Sequence, residues 1–239
     1  MKFLSAILAR ESPHRFVYML VALVLLYTAG AFISHLHHPK LASAMISGLV
    51  LILVVSAIFA ASQNRKTEII ALCIALPTLL IDVLAILYPT DPILIAQHLL
   101  LILFLLFTSY VVLQALFSTH RVTFNSISAS LCVYLLLGII WALLYSLTEI
   151  LEPGAFDHLP EDSMLFGAGH SRVPLYYSLV TLTTLGYGDI TPTAPVARML
   201  SAMEAFIGPV YLAVLVARLV GVQVAQTLTE KSAERQQSP

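Results

Sequence analysis

Charge is what this sequence has least of. Only 10% of its 239 residues are charged, against 59% hydrophobic, and the mean hydropathy is +0.92. Soluble domains carry about a quarter charged residues, so this composition suits lipid rather than water. Basic runs are missing and the formal net charge is −1, which argues against a nucleic-acid partner. The 2 cysteines, Cys73 and Cys132, lie inside apolar stretches, so they read as packing residues rather than a disulfide framework. No phosphate loop, nucleophile elbow or metal quartet occurs, and an enzyme reading has no support. A secretory leader is also unsupported: the apolar run Phe3 to Ala9 is short and no small-x-small site follows it. Phe3, Leu4, Ile7 and Leu8 share one helical face with Lys2, Arg10 and Arg15 nearby, which fits a short helix on the inner membrane surface; a frayed tail is the plainer alternative.

What is present is a series of long apolar runs. Crossing the hydrocarbon core takes about 20 apolar residues. Full spans are expected at Phe16–Leu36, Leu41–Ala61, Ile69–Tyr88, Ile93–Ser118, Ile127–Leu147 and Ala194–Thr227. A further apolar piece, Pro174–Thr184, is too short to cross and reads as re-entrant. With the N-terminus inside, the inner side holds Lys2, Arg10, Arg15, Arg65, Lys66, Arg121, Arg218, Lys231 and Arg235; the outer side holds Lys40, Arg172 and Arg198. That asymmetry places both ends in the cytoplasm of a multi-pass cell-membrane protein. The outer loop before the last span carries Glu149, Glu152, Asp157, Glu161 and Asp162, which raise the local cation concentration.

The stretch TLTTLGYGDITP (181–192) follows the short apolar piece directly. Non-helical backbone at membrane depth survives only when buried in protein or lining a water-filled path. Turning successive carbonyls to one side requires neighbouring residues to alternate in conformation. Gly186 and Gly188 stand at alternate positions, where glycine accepts the left-handed members at little cost. Such carbonyls can replace the water around a dehydrated cation, with the Thr184 hydroxyl below them. One chain supplies one side of the lining, so a closed ring needs a cyclic homo-oligomer. Pro174 opens the short helix, whose negative C-terminal dipole end favours a cation.

YYSLVTLTTLGYGDITP (176–192) resembles the pore helix and signature sequence of potassium channels, and the resemblance extends over residues 127–228. It implies an all-α membrane protein of six transmembrane helices plus a re-entrant pore helix and selectivity-filter loop, assembled as a homotetramer among membrane lipids. Filter and K+ positions would be Thr184, Leu185, Gly186 and Tyr187, with Gly188 completing the filter; no cofactor beyond the permeant K+ is implied. Tyr187 would pack against the pore helix, Tyr176 and Tyr177 match a tryptophan pair forming an aromatic cuff, and Asp189 would sit behind the outer mouth within reach of Tyr177. Thr183 would support the filter. Leu185 departs from the usual valine or isoleucine, and Val180 stands where some members carry a glutamate paired to the filter aspartate. The implied organisation is a cytoplasmic or interfacial segment 1–15, a four-helix peripheral domain 16–118, a linker 119–126, a pore domain 127–228 and a tail 229–239. A less selective cation channel of the same architecture is the alternative; a transporter with several such units fits poorly, since one unit is present.

In the last span, Gly208-Pro209 interrupts the apolar run. Gly208 matches a family hinge, while Pro209 would fix a bend. Glu204 is costly in a membrane span; it either tunes opening from behind the filter or hydrogen-bonds a pore-helix threonine such as Thr181 or Thr183. The fourth span carries no Lys or Arg. Each gating charge is worth about 2.3 kcal/mol per 100 mV, so steep voltage gating is not expected. Asp82 and His98 lie level in antiparallel neighbours and form either a pair or two separate crevice residues. His35, His37, His38 and Lys40 form a solvated loop; as a zinc site they lack fixed spacing and a fourth ligand. What opens the pore, and whose pore unit the first four helices pack against, stay open; the short link 119–126 favours their own.

Overall fold

The computed structural model describes residues 15–33, 48, 50–58, 65–118, 122–158 and 173–237. The architecture is an all-α membrane protein. Helix α1 (Arg15–Ile33) is followed by helical residues 50–58 (α2), then α3 (Arg65–Leu87), α4 (Asp91–Ser118) and α5 (Phe124–Leu151). A two-residue strand β1 (Phe156–Asp157), the short helix α6 (Val173–Leu182), strand β2 (Thr191–Pro192) and α7 (Pro195–Gln237) complete it. Among the described residues, four helices are long and apolar enough to cross a membrane: α3, α4, α5 and α7 as far as Leu228.

Helix boundaries follow capping rather than hydropathy. Thr123 caps α5, its hydroxyl accepting from Ser126 N at 3.2 Å with extended backbone (φ −127°, ψ 162°). The helix therefore begins inside the expected 119–126 linker and runs to Leu151, one turn past the expected Leu147. Helix α3 starts at Arg65, a turn before Ile69, because Arg65, Lys66 and Glu68 form a polar first turn. Helix α7 has 43 residues and continues through the segment expected to be a tail. At 1.5 Å per residue it is about 65 Å long, roughly twice the hydrocarbon core. The expected ends at Leu36 and Leu41, the His35–Lys40 loop, the N-terminal amphipathic stretch, Arg172 and Glu161–Asp162 lie outside the described residues.

Two apolar clusters organise the chain. The larger joins Phe16, Met19 and Leu23 of α1, Leu53 and Val54 of α2, Phe104 and Leu105 of α4, and Cys132, Leu136, Ile139 and Leu143 of α5. Both α1 and α4 thus pack on the α5 of their own chain. Tyr27 Oη donates to Leu135 O at 2.7 Å, and Phe16 N to Asn125 Oδ1 at 3.2 Å. The smaller cluster gathers Trp141 and Tyr145 of α5, Phe156, Tyr177 and Leu182 of α6, Ile190, Ala194 and Ala197.

Of the two alternatives for Asp82 and His98, the pair does not form. Asp82 Oδ1 accepts from Gln97 Nε2 at 2.7 Å, while His98 Nδ1 faces Leu94 O at 2.8 Å. Adjacent residues on a helix point about 100° apart, so only one of 97 and 98 can face α3.

Candidate functional site

Helix α6 hangs between two spans, and the chain leaves it through a tight series of turns. Thr183 N bonds Leu179 O at 3.0 Å, Thr184 N bonds Thr181 O at 2.9 Å, and the carbonyl of Val180 accepts from both Leu185 N (2.9 Å) and Gly186 N (3.2 Å). These close the helix end in the manner of a C-cap. The backbone then alternates: φ is +59° at Thr184, +57° at Gly186 and +77° at Gly188, with no positive φ at Leu185 or Tyr187 between them. Glycine takes such values freely. Thr184 does not; a left-handed side-chain-bearing residue is strained by about 1–2 kcal/mol. Residues 183–189 are all exposed within the chain, flanked by buried Leu182 and Ile190. Among the described residues, no donor reaches the carbonyls of 184–188. Alternating handedness with unpaired carbonyls makes a strip of oxygens that can stand in for a cation's hydration shell.

The strip is anchored at both ends. At its start, Leu182 closes α6; Tyr134 Oη donates to its carbonyl at 3.3 Å, and Gly208 of α7 lies against the same oxygen. A Cβ at 208 would run into that oxygen and lie 3.0 Å from the Leu182 carbonyl carbon, so glycine is required there by close approach. At its far end, β1 pairs antiparallel with β2, Phe156 opposite Pro192 and Asp157 opposite Thr191. Thr193 adds Oγ1 to Gly154 O at 2.8 Å and N to Ala155 O at 2.9 Å. This tie between the loop after α5 and the exit of the strip had no signal in the sequence, because two-residue strands carry no periodicity.

Helices α6 and α7 run parallel where they meet: Tyr177 Oη meets Ser201 Oγ at 2.8 Å, Ser178 meets Glu204, and, one turn on along both helices, Leu182 meets Gly208. Glu204 is fully buried. Its Oε1 lies 2.6 Å from Ser178 Oγ, and its Oε2 accepts from Tyr145 Oη of α5. The partner on α6 is thus Ser178, a turn before the expected Thr181 or Thr183. Thr183 instead donates to Leu179 O at 2.7 Å. Helix α7 runs unbroken through Pro209.

The cuff tyrosines divide their work by face. Tyr177 turns inward, its ring 4.9 Å from Tyr145 and 5.4 Å from Phe156 in edge-on geometry. Tyr176 turns to the exposed side and donates to Asp189 Oδ2 at 2.7 Å, correcting the expected Tyr177 partner. That hydrogen bond, before burial, raises the Tyr176 pKa, so the phenol stays a donor through neutral pH. Val180 is buried and contributes its carbonyl rather than a carboxyl. Tyr187 stays 67% exposed and Leu185 55% exposed, so most of each side chain is left uncovered by its own chain. The exposed apolar face of α7, including Met199, Phe206, Val214, Val216 and Val220, is likewise uncovered by its own chain.

A family profile described as "Ion channel" matches residues 173–224, which takes in α6, the strip and most of the apolar part of α7. Protein LctB of Bacillus caldotenax is 30% identical over 103 residues, covering 43% of this chain and 76% of that protein. Two pore potassium channel a of Oryza sativa subsp. japonica is 29% identical over 120 residues, 49% of this chain and 28% of the relative. Two-pore potassium channel 3 of Arabidopsis thaliana is 30% identical over 124 residues, 51% of this chain and 25% of the relative. The chain thus spans only about a quarter of the plant relatives it matches. No solved structure matches the chain.

Proposed function

Because this chain belongs to the ion channel family and is a channel rather than an enzyme, we propose that it conducts K+ selectively and passively across the cell membrane as a homotetramer. The observation that carries this is the alternation of positive φ at Thr184, Gly186 and Gly188 on a strip whose carbonyls have no donor within the described chain. Four such strips around an axis give rings of oxygen matched to a dehydrated monovalent cation. Thr184, Leu185, Gly186 and Tyr187 hold the ion and Gly188 ends the strip. Asp189, Tyr176, Tyr177, Val180 and Thr183 brace it. The exposed Tyr187, Leu185 and face of α7 are covered by neighbouring subunits, which a C4 assembly supplies without leaving an open edge. The plant relatives are potassium channels by name, which supports the choice of ion.

The distribution of Lys and Arg supports an orientation with both termini in the cytoplasm. The inner helix carries the gate, with Gly208, Pro209 and Glu204 at the level where it meets α6. Helix α4 bears no Lys or Arg, so gating is not steeply voltage-dependent. The test is twofold. Native mass spectrometry from lipid is expected to give a four-chain particle, and liposomes loaded with potassium are expected to take up a cationic dye when the protein is present. A monomeric particle, or uptake driven equally by sodium gradients, overturns the proposal in favour of a less selective cation channel or another assembly.

A further inference from the structure

The site behind the strip holds one polar group too many for an ionised acid. Ser178 Oγ lies 2.6 Å from Glu204 Oε1 and 2.8 Å from the carbonyl of Gly138 on α5. A serine hydroxyl has one proton to give and two lone pairs to accept with. The Gly138 carbonyl can only accept. If Glu204 were a carboxylate, one Ser178 proton would have to serve two acceptors on different helices. If Glu204 carries its own proton on Oε1, each bond has its hydrogen. Glu204 Oε1–H donates to Ser178 Oγ, Ser178 donates to Gly138 O, and Tyr145 Oη donates to Glu204 Oε2.

The surroundings agree with this count. Glu204 is wholly excluded from solvent in the chain, and a buried carboxylate needs a counter-charge or a dense set of donors. The titratable groups facing it are tyrosines: Tyr145 and Tyr134 from α5, Tyr177 from α6 and Tyr27 from α1. Among the described residues no Lys, Arg or His pairs with it.

We infer that Glu204 is a positioning residue that works as a neutral acid, holding α5, α6 and α7 together through the chain Glu204–Ser178–Gly138 with Tyr145 on its other oxygen. The inference rests on the channel reading for its consequence, not for the proton count. Ser178 sits one helical turn before Leu182, the residue from which the strip departs. Removing the proton leaves Ser178 to satisfy either the carboxylate or Gly138 but not both. The Ser178 hydroxyl then loses one of its two ties, and strip geometry loosens with it. Conduction and selectivity should therefore fall on the alkaline side and hold on the acid side.

Two measurements on the full chain in lipid test this separately. Infrared difference spectra between wild type and Glu204→Gln at neutral pH should contain the C=O stretch of a protonated carboxylic acid in the wild type only. Carboxylate bands in its place overturn the inference whether or not the protein conducts. Liposome flux against pH gives the functional arm. Wild type should lose selectivity for potassium over sodium by about tenfold at alkaline pH, the equivalent of one buried hydrogen bond. Glu204→Gln keeps a donor to Ser178 and an acceptor for Tyr145, adds one amide hydrogen and cannot ionise, and should show a flat profile. Ser178→Ala breaks the chain while keeping residue 204 an acid, and should lose selectivity at every pH. Identical pH profiles in wild type and Glu204→Gln, or a loss on the acid side, overturn the inference. Absence of flux in all variants would fail the channel reading while leaving the infrared result to stand or fall alone.

Discussion

Gly208→Ala is the substitution whose outcome the packing decides most sharply. Alanine in a helix is favoured over glycine by about 0.8–1.0 kcal/mol, so on propensity alone the variant should be stabilised. The added Cβ, however, meets the Leu182 carbonyl oxygen head-on and sits 3.0 Å from the carbonyl carbon and 3.3 Å from Leu182 Cδ1. Backbone blocks it on the α6 side and the Cβ itself is rigid on α7, so no side-chain rotation relieves the contact. Overpacking of this kind costs about 1–3 kcal/mol. Taking the upper end and subtracting the helix gain leaves roughly 2 kcal/mol per chain destabilising, and about four times that for an additive tetramer. Relief comes by moving the end of α6, which carries Thr183 and Thr184 with it. Thermal unfolding of the full chain in lipid should shift downward, and potassium-over-sodium flux selectivity should fall together with it. A pure hinge role for Gly208 predicts changed open time with selectivity intact. A variant more stable than wild type with unchanged selectivity would refute the close-approach argument.

Other outcomes follow from the same geometry. Gly188→Ala, forced to φ +77°, should be strained by about 1–2 kcal/mol per chain and should abolish selective flux while assembly persists. Tyr176→Phe removes the donor to Asp189 and should speed loss of conduction at the outer mouth; because the wild-type phenol's pKa is raised, the bond is present below its ordinary value and lost only as pH climbs beyond it, so the two proteins should differ at neutral pH and converge at high pH. Asp82→Asn keeps the bond to Gln97 and removes a charge, and the current–voltage relation should stay without a steep sigmoid, as expected for an α4 with no Lys or Arg. Thr193→Val cuts the tie to Gly154, worth about 0.5–1.5 kcal/mol, and should raise hydrogen exchange in the segment after the strip.

Four of the six expected spans were legible because lipid imposes one simple demand, a long apolar run, and α3 to α5 and α7 satisfy it. Their ends were less so, since Thr123 and the polar turn at Arg65 set boundaries by capping, which hydropathy does not register. Gly186 and Gly188 announced the alternating backbone; Thr184, a β-branched residue at φ +59°, did not, because nothing in its type favours that conformation. Pairings were the weakest part. Choosing Tyr176 over Tyr177 for Asp189, Gln97 over His98 for Asp82, and Ser178 over a threonine for Glu204 depends on helix rotation by about 100° per residue. Sequence spacing fixes that rotation only when the neighbouring helix is already in place. Ser178 did carry a signal: it precedes Leu182 by four residues as Glu204 precedes Gly208, a match visible once the two helices are taken as parallel.

The central claim is that main-chain oxygen at 184–188, repeated fourfold, takes the place of water around potassium. Reversal potential under bi-ionic conditions, with potassium on one side of a planar bilayer and sodium on the other, tests it most directly. A reversal potential displaced strongly toward the potassium equilibrium value, and collapsing toward zero in Gly186→Ala, is the predicted result. A reversal potential near zero for the wild-type protein would contradict it.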